Sequence, residues 1–237
     1  MLTVVVAIDN IHLNELQKSL PTWINFKGFA KYPFLVIYDA SQLHPSDDRF
    51  EIFKNLNVEF VAFKDHLTTY YTQREKMLTA LTVIPGKYVK TKYYLKIDTD
   101  CLATNSDKWF DETWLDKNYV FISNPWGTTK PANAIQLLDD WADEKFPGIK
   151  PLNLQFNPDN EKIKHKRIIS WIFLCNTEWS VKMAEYFHHD GLYKLPSISD
   201  KEYKVSQDTV LWYLAELHGY KYKTFNFKSK GWIHKRL

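Results

Sequence analysis

Cysteine and glycine are scarce in this chain of 237 residues, with two of the first and seven of the second. The cysteines, Cys101 and Cys175, lie far apart and form no CxxC spacing, which argues against a disulfide framework or a cysteine-held zinc and predicts reduced thiols. The few glycines make no glycine-rich phosphate loop, and neither a nucleophile elbow nor an HExxH motif occurs. Long apolar runs are missing as well. The opening run Val4-Val5-Val6-Ala7-Ile8 is stopped by Asp9, well short of the roughly 20 residues of a membrane helix, and no basic segment or cleavage site marks a leader. A net charge of +3 is too small to imply nucleic-acid binding by itself and is compatible with an anionic small ligand. No internal repeat or low-complexity tract is found. These absences predict a soluble cytoplasmic protein, in a bacterium or in the host of a virus.

What is present is core-forming material. Apolar residues make up 45% and aromatic residues 16%, with nine Trp, so a sizeable interior is expected, with some flat rings left over for a sugar or base face. The length suits one domain spanning 1–237. Short β-rich runs alternate with helical patterns in the first half. Leu2–Ile8 reads as a strand buried on both faces, Leu13, Leu16, Leu20 and Trp23 recur at helical spacing, and Phe34–Tyr38 and 58–63 are further strands. A helix over 71–83 is predicted to stop at Pro85-Gly86, and Tyr93–Ile97 is the fourth strand. That order implies a parallel, right-handed α/β sheet, whose ligands gather beyond the carboxyl ends of the strands. Asp9, Asp39 and the pair Asp98 and Asp100 fall at that edge.

The second half is less regular. A strand at 120–123, a turn at Pro125-Trp126-Gly127, a helix over 132–144, a long loop over 146–166 and a strand over 168–174 are predicted. A helix follows around Trp179, Met183 and Tyr186, then another from near Ser206 to Leu217, then a basic, aromatic tail.

An apolar strand ending in Asp98-Thr99-Asp100 places two carboxylates where a turn can bring them together. Oxygens so placed suit a hard cation, Mn²⁺ or Mg²⁺, which can stabilise a departing diphosphate. In this the chain resembles the GT-A glycosyltransferases, whose Asp-x-Asp motif ends a central strand. The resemblance runs from the opening strand through the helix 71–83 to Asp100. It implies a Rossmann-like α/β/α sandwich with a mostly parallel central sheet, 1–101 forming the nucleotide-binding half and 102–237 a smaller, mixed acceptor-side half. It further implies that Ala7, Ile8, Asp9 and Asp39 border the nucleoside and that Arg74 faces the donor. Asp98 and Thr99 would touch the donor, and Asp98, Asp100 and His234 would bind the metal. Ser206-Gln207-Asp208 looks like the family's element carrying a general base, which points to Asp208 and an inverting reaction, while the Gln keeps a retaining course open.

The partners implied are a nucleoside diphosphate sugar and a hydroxyl acceptor on a glycan, a lipid-linked precursor or a modified nucleobase. One departure from the family is the region Ile169 to Phe173, which has no glycine, so Trp126 and Trp171 become candidates for an acceptor platform or for the core. Rival readings are a nucleotidyltransferase, a nuclease built on Asp98, Asp100 and Asp208, and a catalytically idle carbohydrate- or nucleic-acid-binding domain.

Overall fold

Strand β1 (Leu2–Ile8) is apolar on both faces because it lies between two helical layers. In a computed structural model, Val4, Val6 and Ile8 pack on one side with Leu13, Leu16, Leu20 and Trp23 of helix α1 (Asn10–Lys27). Val5 joins the other side, which is covered by later helices. Each such side chain, fully buried, contributes about 1.5–3 kcal/mol from removal of apolar surface. The structure describes residues 2–66, 78–123, 126–150, 152, 156–157, 162–168, 170–188 and 207–235.

β1 pairs in parallel with β2 (Phe34–Tyr38) on one flank and with β4 (Tyr93–Ile97) on the other, and β2 pairs in parallel with β3 (Val58–Ala62). β5 (Cys101–Ala103) leaves the sheet beyond the turn after β4. β6 (Phe121–Ser123) and β11 (Lys223–Thr224) extend the sheet past β10 (Ile172–Asn176), giving seven strands in the order β11-β6-β10-β4-β1-β2-β3. β10 runs antiparallel to both of its neighbours; the remaining pairs are parallel. The result is the anticipated α/β sandwich with a mostly parallel sheet. The chain goes from β1 to one side and later returns to the other, which places a crevice at the carboxyl ends of β1 and β4. No helix among the described residues is long and apolar enough to cross a membrane.

Several local expectations need correction. The helix before β4 does not stop at Pro85-Gly86. A π-helical turn (Thr79–Val83) runs into helix α2 (Ile84–Tyr88). Pro85 has no N–H to return to the preceding turn, and Tyr94 Oη donates to the carbonyl of Leu81 (2.6 Å), while Ser180 Oγ donates to that of Thr82 (2.7 Å). Gly86 serves packing: a Cβ there would meet the Val181 backbone N at 3.1 Å.

Trp126-Gly127 is not a turn but the start of β7 (Trp126–Pro131), which pairs antiparallel with β9 (Lys162–Arg167), itself paired with β8 (Phe156–Asn157). The stretch 146–166 is therefore not one long loop. Its lysine-rich end forms a strand because cross-strand hydrogen bonding can outweigh weak local β propensity. The strand predicted at 168–174 begins later, at Ile172. Helices α3 (Ala132–Lys145), α4 (Thr177–His188) and α5 (Gln207–Leu217) stand where the apolar spacing put them.

Candidate active site

Asp98 follows β4 immediately, and its backbone is fixed twice. Its amide donates to the Trp171 carbonyl (2.8 Å), and its own carbonyl accepts from the Cys101 amide (3.1 Å), closing the turn Asp98-Thr99-Asp100. Thr99 turns inward, almost fully buried, and donates from Oγ1 to Glu15 Oε2 on α1 (2.7 Å). The alternation about Thr99 leaves both aspartates facing the same way.

The third member arrives from the far end of the chain. β12 (Trp232–His234) pairs antiparallel with β5, placing His234 opposite Cys101. Trp232 is wholly buried among Trp23, Phe29 and Trp109 and anchors this strand, whereas Ile233 is 46% exposed. His234 Nε2 lies 3.1 Å from Asp100 Oδ1 and 3.9 Å from Asp98 Oδ2. The ring stacks on Trp171 at 5.4 Å with planes 2° apart, which sets its orientation. Among the described residues, Asp98, Asp100 and His234 offer ligand atoms all within 4.8 Å of one another, a grouping that can hold a metal ion.

The electrostatics are those of crowded acids. Burial raises the Asp100 carboxyl pKa above its usual range. His234 opposes the rise, and the charges of Asp98 and Glu15 add to it. Burial also pushes the Cys101 thiol well upward, so this neighbour is an inert packing residue. One cation balances the acids from below: Lys96 pairs with Asp98 Oδ1 and donates to the Ser170 carbonyl (2.7 Å). Reading the sequence missed both Lys96 and Glu15. The available signal was a lysine inside an otherwise apolar strand, since an ammonium is buried only with partners.

Two further anticipated acids, Asp9 and Asp39, lie at the same edge, after β1 and β2. Asp9 caps α1, accepting from the amides of Ile11 (2.9 Å) and His12 (2.8 Å). Asp39 accepts from Ser41 Oγ (2.6 Å) and Gln42 Nε2 (2.8 Å), and its amide donates to the Ile8 carbonyl (2.9 Å). Ile8 buries its side chain in the core, and Ala7 is half-buried. Asp208 stands in the first turn of α5 and its carbonyl accepts from the Ile168 amide (3.3 Å), two residues before the Ser170 carbonyl that holds Lys96. Arg74 and Ser206 lie outside the described residues. Of the platform candidates, Trp171 belongs to the site through His234, and Trp126 opens β7.

The sheet carries acids at the carboxyl ends of β1, β2 and β4, with a histidine beside the pair after β4, and the chain has the GT-A glycosyltransferase fold. Core-mannan synthase A from Aspergillus fumigatus, solved in a Mn/GDP form, matches with a TM-score of 0.63 at 11% identity, over 98% of this chain and 74% of that one. Mouse xyloside xylosyltransferase 1 in its apo form matches with a TM-score of 0.52 at 9% identity, over 95% and 85%. The galactosyltransferase LgtC, in complex with donor and acceptor sugar analogs, gives 0.51 at 12% identity, over 90% and 70%. No family model and no curated protein matches the sequence.

Proposed function

We propose that the chain is a metal-dependent glycosyltransferase, moving a sugar from a nucleoside diphosphate sugar to a hydroxyl acceptor. The observation that carries this reading is the convergence of Asp98, Asp100 and His234 within 4.8 Å at the carboxyl edge of a GT-A sheet. Two carboxylates and an imidazole are a donor set suited to Mn²⁺, and to Mg²⁺ through the oxygens. When bound, such a cation supplies charge neutralisation for a departing diphosphate. The Mn/GDP form of core-mannan synthase A and the donor complex of LgtC support the same direction.

The chain's own residues would do the rest. Trp171 keeps the imidazole of His234 aimed at the two acids, and the turn held by Glu15 and Thr99 keeps those acids side by side. Asp39, which accepts from Gln42 Nε2, and Gln42, whose Oε1 accepts from the Asn10 amide, stand beyond the ends of β2 and β1 and would border the nucleoside. Asp208 is our candidate for the group that accepts the proton of the attacking hydroxyl, as an inverting transfer requires. The acceptor would be a glycan, a lipid-linked precursor or a modified nucleobase.

Calorimetry with GDP, UDP and related diphosphates, with and without Mn²⁺, tests the reading. Metal-dependent binding of at least one nucleotide is expected, together with slow donor hydrolysis. Asp100→Ala should remove the metal dependence without unfolding the chain; nucleotide affinity unchanged in that variant overturns the assignment. Asp208→Asn should bind donor normally and lose turnover by about 10²–10⁴-fold.

A further inference from the structure

Lys96 has no part in the function proposed for Asp98, Asp100 and His234, yet it is a buried cation beside them. It sits in β4 between Leu95 and Ile97, both fully buried, and is itself only 5% exposed. An ammonium withdrawn from water demands compensation. Here it has the Ser170 carbonyl at 2.7 Å and an ion pair with Asp98 Oδ1. The main chain of Asp98 does not depend on that pair, because the Trp171 carbonyl and the Cys101 amide already hold it. Lys96 therefore contributes charge to the site more than shape. It occupies one oxygen of Asp98 and leaves Oδ2, the oxygen that faces His234, for any further ligand.

We infer that Lys96 is a charge-balancing residue that weakens the site's hold on a bare divalent cation, so that the cation is held firmly only together with the donor's diphosphate. The inference rests on the metal reading of Asp98, Asp100 and His234. The two carboxylates that would ligate the ion match a divalent charge, while Glu15 stands behind them with its Oε2 accepting from Thr99; Lys96 offsets one of the two ligating charges, and the ligand set then favours an additional anion beside the metal. The diphosphate supplies it.

The test is a Mn²⁺ titration of the full chain without nucleotide, following the free-ion electron paramagnetic resonance signal. Lys96→Met keeps the length of the side chain and removes the charge; it should bind Mn²⁺ about tenfold or more tightly than the unsubstituted chain. Lys96→Arg, which keeps the charge, should stay within about threefold. Added GDP or UDP should strengthen Mn²⁺ binding to the unsubstituted chain far more than to Lys96→Met. Lys96→Gln, which retains a donor for the Ser170 carbonyl, takes the place of Lys96→Met if melting shows that the latter is unfolded. Mn²⁺ affinity that is unchanged or lower when the charge is removed overturns the inference alone. A chain that takes up no Mn²⁺ with or without nucleotide overturns the metal reading, and the inference with it.

Discussion

Asp100 shows how one side chain can trade stability for chemistry. Its folded pKa lies above the unfolded value, chiefly through burial and against the pull of His234, with Asp98 and Glu15 adding to the rise. A carboxyl so shifted stabilises the fold below its unfolded range and loses that contribution as pH rises through the folded value, so ionised Asp100 opposes folding at neutral pH. Asp100→Asn is expected to melt higher than the unsubstituted chain at pH 7 in EDTA, and to lose the rise in Tm that Mn²⁺ gives the latter. Scanning calorimetry with and without the ion reads both. His218 carries the opposite shift: burial, then Lys182, lowers its pKa, and its ring packs against Phe146 and Tyr186. Its contribution is present above the ordinary imidazole value and is lost as pH falls through the folded one. Tm should therefore drop on acidification below about pH 6.5, and His218→Phe should flatten that slope. At this scale the sequence was only partly legible. Asp98 and Asp100 stood out because an apolar strand ended on them. Lys96 and Glu15 did not, since their roles exist only once β4, α1 and Ser170 are brought together.

Among the elements, β12 decides whether the site is complete, and one glycine decides where β12 begins. Gly231 has φ 75°, a conformation that costs other residues about 1–2 kcal/mol. A Cβ there would overlap Asn105 Oδ1 at 2.2 Å. That oxygen is engaged by Lys27 Nζ (3.2 Å) and the Asp107 amide (3.1 Å), so it cannot simply swing away. Gly231→Ala should displace His234 and weaken Mn²⁺ binding by about tenfold or more, the range for loss of support around a metal ligand. Far-UV circular dichroism should stay unchanged; Mn²⁺ affinity equal to that of the unsubstituted chain would show that β12 tolerates the shift. Elements with strong periodicity, β1, β2, β4, α1 and α5, could be read from apolar spacing alone. The β7–β9 pairing could not. Lys162, Lys164 and Lys166 give β9 a polar, locally ambiguous sequence, and only the register with β7 makes it a strand. Pro85-Gly86 misled for a related reason: the carbonyl that Pro85 leaves unmatched is met by Tyr94, a residue of another element.

Across the whole molecule, the two stretches 1–101 and 102–237 are interleaved. β10 enters the sheet beside β4, His234 pairs with Cys101, and Lys27 Nζ donates to the carbonyl of Lys230, 203 residues away (2.6 Å). Denaturation by urea should accordingly give coincident transitions by tryptophan fluorescence and far-UV circular dichroism. Two separated transitions would instead mark two independently stable units. The parallel order of the early strands was legible from their alternation with helices. The antiparallel insertion of β10 was not, because nothing local to 172–176 specifies which neighbour it will join.

The pairing of β12 with β5 also has a kinetic reading. Closing the long stretch between β5 and β12 is entropically costly, so the corner that would grip a cation is expected to assemble after the parallel strands. An ion that recognises only that corner rewards the finished molecule and leaves the ascent to it untouched. Mn²⁺ should thus lengthen the native lifetime while leaving the refolding rate nearly as it was.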